Sequence, residues 1–139
     1  AVETGKPVVA LEGDSAFGFD GMEMETICRY NLPITVVVVN NGGIYNGTDQ
    51  EVPSQPGPAK LDSTARYELL AQAFGGDSYF VSDYQTMEET FSKAVDSKRP
   101  CLINVQIDPS MGKESGHIGN LNPEDITEEV KELKETVKN

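Results

Sequence analysis

Residues 34–43 read ITVVVVNNGG. From Ile34 to Val39 every side chain is β-branched, the shape that packs best on a pleated surface. The run does not alternate with polar residues, so it reads as a strand buried on both faces, the habit of a central parallel strand. It ends abruptly in two asparagines and two glycines, which is turn chemistry. The question is what such a strand runs beside and what its polar end is for.

Working outward, Val8 to Leu11 is a second short apolar run, again read as a strand buried on both faces. It leads into GDSAFGFD, residues 13–20. Met22 to Tyr30 has helical spacing, with Met22, Thr26 and Tyr30 on one side, and Pro33 closes the link to Ile34. Downstream, residues 41–63 are rich in glycine and proline and read as a loop; a loop of that length in a compact domain is usually functional or mobile. Thr64 to Phe74 returns to helix, with Tyr67, Leu70, Ala71 and Phe74 apolar and Gly75-Gly76 as the stop. YFVSD (79–83) is a short strand, Thr86 to Ser97 a helix with Met87, Phe91, Ala94 and Val95 inward, and PCLINVQID (100–108) the last strand. Strands alternating with helices predict an α/β fold, a doubly wound parallel sheet with right-handed crossovers.

A chain of 139 residues is expected to form one domain and to bury roughly two-thirds of its unfolded surface. The net charge of −12 argues against nucleic acid and against an anionic membrane surface as partners. No apolar run approaches the ~20 residues of a membrane span. If the ligand is an anion, a cation or helix N-termini must overcome the chain's own field. Cys28 and Cys101 have no metal-type or redox-type spacing and read as buried reduced thiols, which favours a cytoplasmic setting. The opening, AVETGKPVVA, reaches a core strand so soon that the sequence resembles a domain cut from something longer.

In a parallel sheet, Asp14 at the end of one strand and Asn40-Asn41 at the end of the next lie at the same edge. A carboxylate, an amide oxygen and a carbonyl freed by Gly42 or Gly43 are hard oxygen ligands, suited to Mg²⁺ that shares its shell with phosphate and water. A helix starting near Gly21 is expected to aim backbone N–H groups at the same place. The residues alone therefore suggest a Mg²⁺-bridged diphosphate. Taken singly, Gly-Asp and Asn-Asn are ordinary turn pairs. A nucleotide site also stays open, although neither Gly-rich phosphate signature is present.

The pattern EGDSAFGF, then GMEMETICRYNLPI, then NNGGIYNG resembles the diphosphate-binding motif of thiamin-diphosphate enzymes, with Ser15 where the family usually has the last glycine of Gly-Asp-Gly. Within that family it is similar to the oxalyl-CoA decarboxylases and, slightly less closely, to the 2-hydroxyacyl-CoA lyases; ESGHIGNLNP (114–123) also resembles the decarboxylase C-terminus. The resemblance implies the pyrophosphate domain of the thiamin-diphosphate-binding fold over residues 1–108. Residues 109–139 follow as a lid segment and C-terminal helix of the same domain. That helix has a good start at Asn122-Pro123-Glu124-Asp125 and a thin apolar seam of Ile126, Val130, Leu133 and Val137.

Carried over by position, Asp14, Asn41 and the Gly43 carbonyl hold Mg²⁺. Gly13, Ser15, Ala16, Ile44 and Tyr45 surround thiamin diphosphate, with the Ser15 and Ala16 N–H groups available to the diphosphate. Asn40 either contacts the metal or orients the turn. Tyr45 is either a packed loop aromatic or a catalytic hydroxyl facing the reacting centre. Ser115 is either a plain loop serine or a catalytic group that meets the substrate, and His117 is either exposed or a contact for the CoA substrate. The implied reaction is conversion of oxalyl-CoA to formyl-CoA and CO₂ by thiazolium carbanion chemistry. The alternatives are a 2-hydroxyacyl-CoA lyase with the same cofactor and a non-catalytic module of the same fold. The resemblance also implies a glutamate on a pyrimidine-binding domain of a facing subunit, in a homodimer or homotetramer. No segment here looks like that domain, so the 139-residue piece is expected to be inactive alone.

Overall fold

The computed structural model describes residues 1–44 and 60–109. Tyr45, Ser115, His117, the tail helix and most of the long loop lie outside the described residues. In chain order the elements are β1 (Val8–Gly13), α1 (Asp14–Asp20), α2 (Glu23–Arg29), β2 (Ile34–Asn40), α3 (Glu68–Ala73), β3 (Asp77–Val81), α4 (Tyr84–Ser97) and β4 (Cys101–Gln106). The four strands form one parallel sheet in the order β1-β2-β4-β3. Gly13 pairs with Val39 and Asn40 with Gln106, so the carboxyl ends of β1, β2 and β4 finish level.

Helices cover both faces, as a parallel sheet requires. Val36, Val38 and Leu102 point to one side and pack with Phe17 of α1, Met24 of α2 and Ala71 of α3. Val37, Cys101, Ile103 and Val81 point to the other and pack with Ala94 of α4. Each fully buried valine contributes about 1.5–3 kcal/mol, so β2 anchors both cores. Yet four valines in a row are nearly interchangeable, and a slip of one residue would exchange one valine for another on each face. The apolar run therefore specifies burial but not register; the polar end of the strand has to do that.

The helix after β2 begins later than the spacing suggests. Asp62 accepts from the Thr64 backbone N–H (2.8 Å) and hydroxyl (2.6 Å), which holds a turn where helix was expected. Tyr67, Leu70, Ala71 and Phe74 nonetheless face the core as predicted. α4 begins two residues early because Asp83 caps it, accepting from Thr86 N–H at 2.9 Å. Met87, Phe91 and Ala94 face inward as expected, and Val95 is partly buried.

Three expectations are corrected. First, β1 lies at an edge of the sheet formed by the described residues and is not buried on both faces there: Val9 and Leu11 fall on the α4 side of the sheet, where α4 packs mainly over β2, β4 and β3, and Leu11 is 71% exposed. An apolar run states a demand for burial without naming the element that meets it. Second, the inward face of α2 is Met24, Ile27 and Cys28, while Met22 and Tyr30 are exposed at 66% and 63%. Third, a helix, α1, starts at Asp14 itself, capped by Gly13 in extended conformation. The helix turned toward the strand end is thus α1, not one starting near Gly21.

Both cysteines are free; Cys101 is buried and Cys28 only partly so. Burial, helped by the charge of Asp77, pushes the Cys101 thiol up to about 12. Burial also raises Cys28, against a partly offsetting backbone N–H from Gly76. A disulfide reagent at pH 8 should therefore modify Cys28 of the folded chain first and reach Cys101 only as fast as the chain unfolds. Peptide mapping of the labelled protein checks this; rapid native-state labelling of Cys101 would contradict the buried position.

Candidate diphosphate and metal site

The level strand ends bring together residues far apart in sequence. The Asp14 carboxylate is 2% exposed. One oxygen accepts from its neighbour Ser15 N–H at 2.9 Å, and the other crosses to the end of β2 and accepts from Gly42 N–H at 2.9 Å. The β2 turn is tied internally as well. Asn40 Oδ1 accepts from Gly42 N–H at 3.1 Å, and Asn41 Oδ1 accepts from Gly43 N–H at 3.1 Å. Gly42 has a φ of +71°, and a Cβ built there would stand 2.7 Å from the Ser63 Cβ. Only glycine fits, both for conformation and for space. The Gly42 carbonyl accepts from Leu61 N–H at 2.8 Å.

Two effects compete at Asp14. Hydrogen bonds from N–H groups to a carboxylate are worth about 1.5–3 kcal/mol each, whereas removing a charge from water costs several. Desolvation wins: burial holds the Asp14 carboxyl above the usual aspartate range, although the N–H groups of Ser15, Gly42 and Gly43 pull it down. The folded-state value lies above the unfolded one, so in the cation-free chain the associated stability is present below the unfolded pKa and is lost as pH rises through the folded pKa. Nearby, the Tyr67 ring meets Phe17 edge-on at 5.8 Å. Burial first, then the charges of Asp14 and Asp62, raise its phenol and keep it protonated.

Of the residues singled out in the sequence, Asp14, Ser15, Asn40, Asn41, Gly42 and Gly43 come together at one edge. Gly13 and Ala16 lie exposed beside them, and Ile44 is partly buried next to the turn. The Ser15 N–H is engaged by Asp14 rather than available, a correction that follows from its place one residue after the acid. Asn40 orients the turn: its oxygen bonds Gly42, and its Nδ2 donates to the carbonyls of Ser63 and Ala65, both at 3.4 Å. Sequence reading missed the 60–65 segment altogether. It packs on the turn, with Lys60 bridged to Gly43 and Ser63 against Gly42, and carries no motif that could have marked it.

The donor set suits Mg²⁺. Among the described residues no three His, Cys, Asp or Glu side chains gather to hold a metal. The edge instead offers one carboxylate with neutral oxygens, the set a Mg²⁺ ion takes when phosphate and water supply the rest. Asp14 has no cationic side chain paired to it among the described residues, so a buried negative charge stands ready for a cation. A Cβ built on Gly13 would meet nothing within 4 Å, which leaves open space at the strand end for a ligand.

A parallel α/β domain with such an edge gathers one carboxylate and several neutral oxygens at the carboxyl ends of its strands, where open sheets of this kind bind ligands. The family model for the C-terminal TPP-binding domain of thiamine pyrophosphate enzymes matches residues 1–105, and the chain belongs to that family. It is 51% identical over 128 residues to the oxalyl-CoA decarboxylase of Escherichia coli (strain K12), covering 91% of this chain and 23% of that protein. It is 46% identical over 116 residues to 2-hydroxyacyl-CoA lyase 1 of Mus musculus, covering 76% and 20%. With the 2-hydroxyacyl-CoA lyase of Arabidopsis thaliana it shares 40% over 123 residues, covering 83% and 21%. The chain thus spans less than a quarter of the length of these relatives. Among the described residues no helix is long and apolar enough to cross a membrane.

Gly42→Ala should destabilise the chain by about 1–3 kcal/mol from backbone strain alone, with the Ser63 contact adding to it, as urea unfolding would read. Gly13→Ala, with open space around the new methyl, should cost less. Equal losses at the two positions would contradict the close approach at Gly42.

Proposed function

We propose that this chain is the cofactor-anchoring domain of a thiamin-diphosphate-dependent oxalyl-CoA decarboxylase, an oligomeric enzyme of the cytoplasm. The observation that carries the proposal is the buried Asp14 carboxylate, bonded across the β1 and β2 ends and lacking a cationic side-chain partner among the described residues. The 51% identity to a decarboxylase favours oxalyl-CoA as substrate. The 46% identity to a 2-hydroxyacyl-CoA lyase keeps a second reading, carbon–carbon cleavage of a 2-hydroxyacyl-CoA.

In this reading Asp14 and Asn41, through their side chains, and Gly43, through its carbonyl, hold Mg²⁺. Gly13, Ser15, Ala16 and Ile44 line the cofactor. Thiamin diphosphate, when bound, supplies the carbon nucleophile and the electron sink for loss of CO₂. The chain's own work is electrostatic and positional. Its net charge of −12 repels a diphosphate, so the cation must come with the ligand. The buried acid fixes that cation where the short helix α1 also turns its first N–H groups. Tyr45 is assigned to the reacting centre, and Ser115 and His117 to the substrate. The glutamate that activates the cofactor comes from the pyrimidine-binding domain of a facing subunit in a homodimer or homotetramer.

Titration calorimetry should show thiamin diphosphate binding that requires Mg²⁺. Asp14→Ala should weaken it at least about 100-fold, the upper end of what changes outside the ligand shell cost at metal sites. Binding that ignores Mg²⁺ or survives Asp14→Ala would overturn the proposal. Incubated with oxalyl-CoA, thiamin diphosphate and Mg²⁺, the chain alone should release no formyl-CoA; appreciable product would refute the need for a facing subunit. In an enzyme assembled with that subunit's domain, formyl-CoA from oxalyl-CoA supports the decarboxylase, and an aldehyde from a 2-hydroxyacyl-CoA supports the lyase.

A further inference from the structure

The β2 turn is held on one side by Asp14 and on the other by the 60–65 segment. That segment is neither strand nor helix, so something must hold it in turn. Three side-chain amides do so. Gln106 Nε2 donates to the Ser63 carbonyl at 2.8 Å. Asn104 Nδ2 donates to the Ala65 carbonyl and to Glu68 Oε2, both at 2.9 Å. Asn40 Nδ2 reaches the same two carbonyls only at 3.4 Å. Along β4, residues 102, 104 and 106 alternate onto one face, and Leu102 marks it as the α3 side. The amides of Asn104 and Gln106 thus stand in a row under the segment that walls the turn.

A further detail concerns Asn104. Asn104 is fully buried, yet its Oδ1 has no hydrogen-bond partner among the described residues. A bare buried acceptor is costly, and valine or leucine would fill the interior of β4 without that cost. What offsets that cost is its two donated bonds, to Ala65 and to Glu68, whose own buried carboxylate also accepts from Arg66.

We infer that Gln106 and Asn104 are positioning residues for the cation and diphosphate site, acting through the Ser63 and Ala65 carbonyls on the Gly42–Gly43 turn. Neither is among the residues proposed to hold the cation or the cofactor. The contact passes from amide to carbonyl, then through Ser63 against Gly42 and Leu61 N–H on the Gly42 carbonyl, to the turn that presents Asn41 and Gly43. The inference rests on the proposed function, because it concerns the same site.

Gln106 is only partly buried, so Gln106→Met removes the donor, keeps the length and spares the core. Ala94→Gly, on the α4 side of the sheet, serves as a control that lowers stability without touching the segment. In the full chain, well below both unfolding temperatures, Gln106→Met should weaken Mg²⁺-dependent thiamin diphosphate binding about 10-fold, a usual loss for a partner outside the ligand shell. Ala94→Gly should leave that affinity unchanged. In the cation-free chain, amide hydrogen exchange at Gly42 and Leu61 should quicken in Gln106→Met while Ile103 in β4 keeps its rate. Unchanged affinity or unchanged exchange at Gly42 and Leu61 in Gln106→Met overturns the inference and leaves the proposed function standing. Failure of the unaltered chain to bind the cofactor with Mg²⁺ overturns both.

Discussion

The bond from Gly42 N–H to the Asp14 carboxylate is the constraint from which the site follows. It joins two residues 28 positions apart in sequence, each just beyond the end of its strand. It also solves the register problem that β2 poses, since four consecutive valines pack almost equally well one residue out of step. Shifted by one, Asn40 would leave its place opposite Gln106, and Gly42 would leave both Asp14 and Ser63. The polar edge therefore specifies the alignment that the apolar core only stabilises. A buried carboxylate is an expensive way to secure a register. In the proposed function the same group has a second use, because a charge already desolvated and oriented needs little rearrangement to receive a cation.

Much of the fold was legible because it rests on local patterning. β2 was readable to the residue, since β-branched side chains and a terminal Asn-Asn pair leave few alternatives. The inward faces of α3 and α4 followed from their helical spacing. What was not legible depended on neighbours. The apolar run of β1 cannot state how little of its α4 side the described residues cover. In α2 the spacing of Met22, Thr26 and Tyr30 competes with that of Met24, Ile27 and Cys28, and only the position of the sheet decides between them. α1 was hidden because Gly13, Gly18 and Gly21 punctuate it like a loop, while its first residue carries the site's acid.

The site divides in the same way. Asp14, Asn41 and Gly43 could be named because their residue types carry the chemistry and because a parallel sheet places their strand ends together. Asn104, Gln106 and the 60–65 segment could not. An asparagine and a glutamine inside a strand have no motif, and their meaning appears only when the carbonyls of Ser63 and Ala65 are seen above them. In the proposed site, the residues assigned to the ligands advertise themselves by chemistry, whereas those inferred to hold them in place do so only by geometry.

The contact between the strand ends can be observed directly in the cation-free chain. Backbone amide shifts of Ser15 and Gly42, followed by NMR as pH is varied, report on the carboxylate that both N–H groups donate to. If Asp14 joins β1 to β2, the two amides titrate together with one midpoint above the ordinary aspartate value of about 3.9. A Gly42 amide that stays flat while Ser15 titrates would show that the acid does not reach the second strand, and the site as described would not exist.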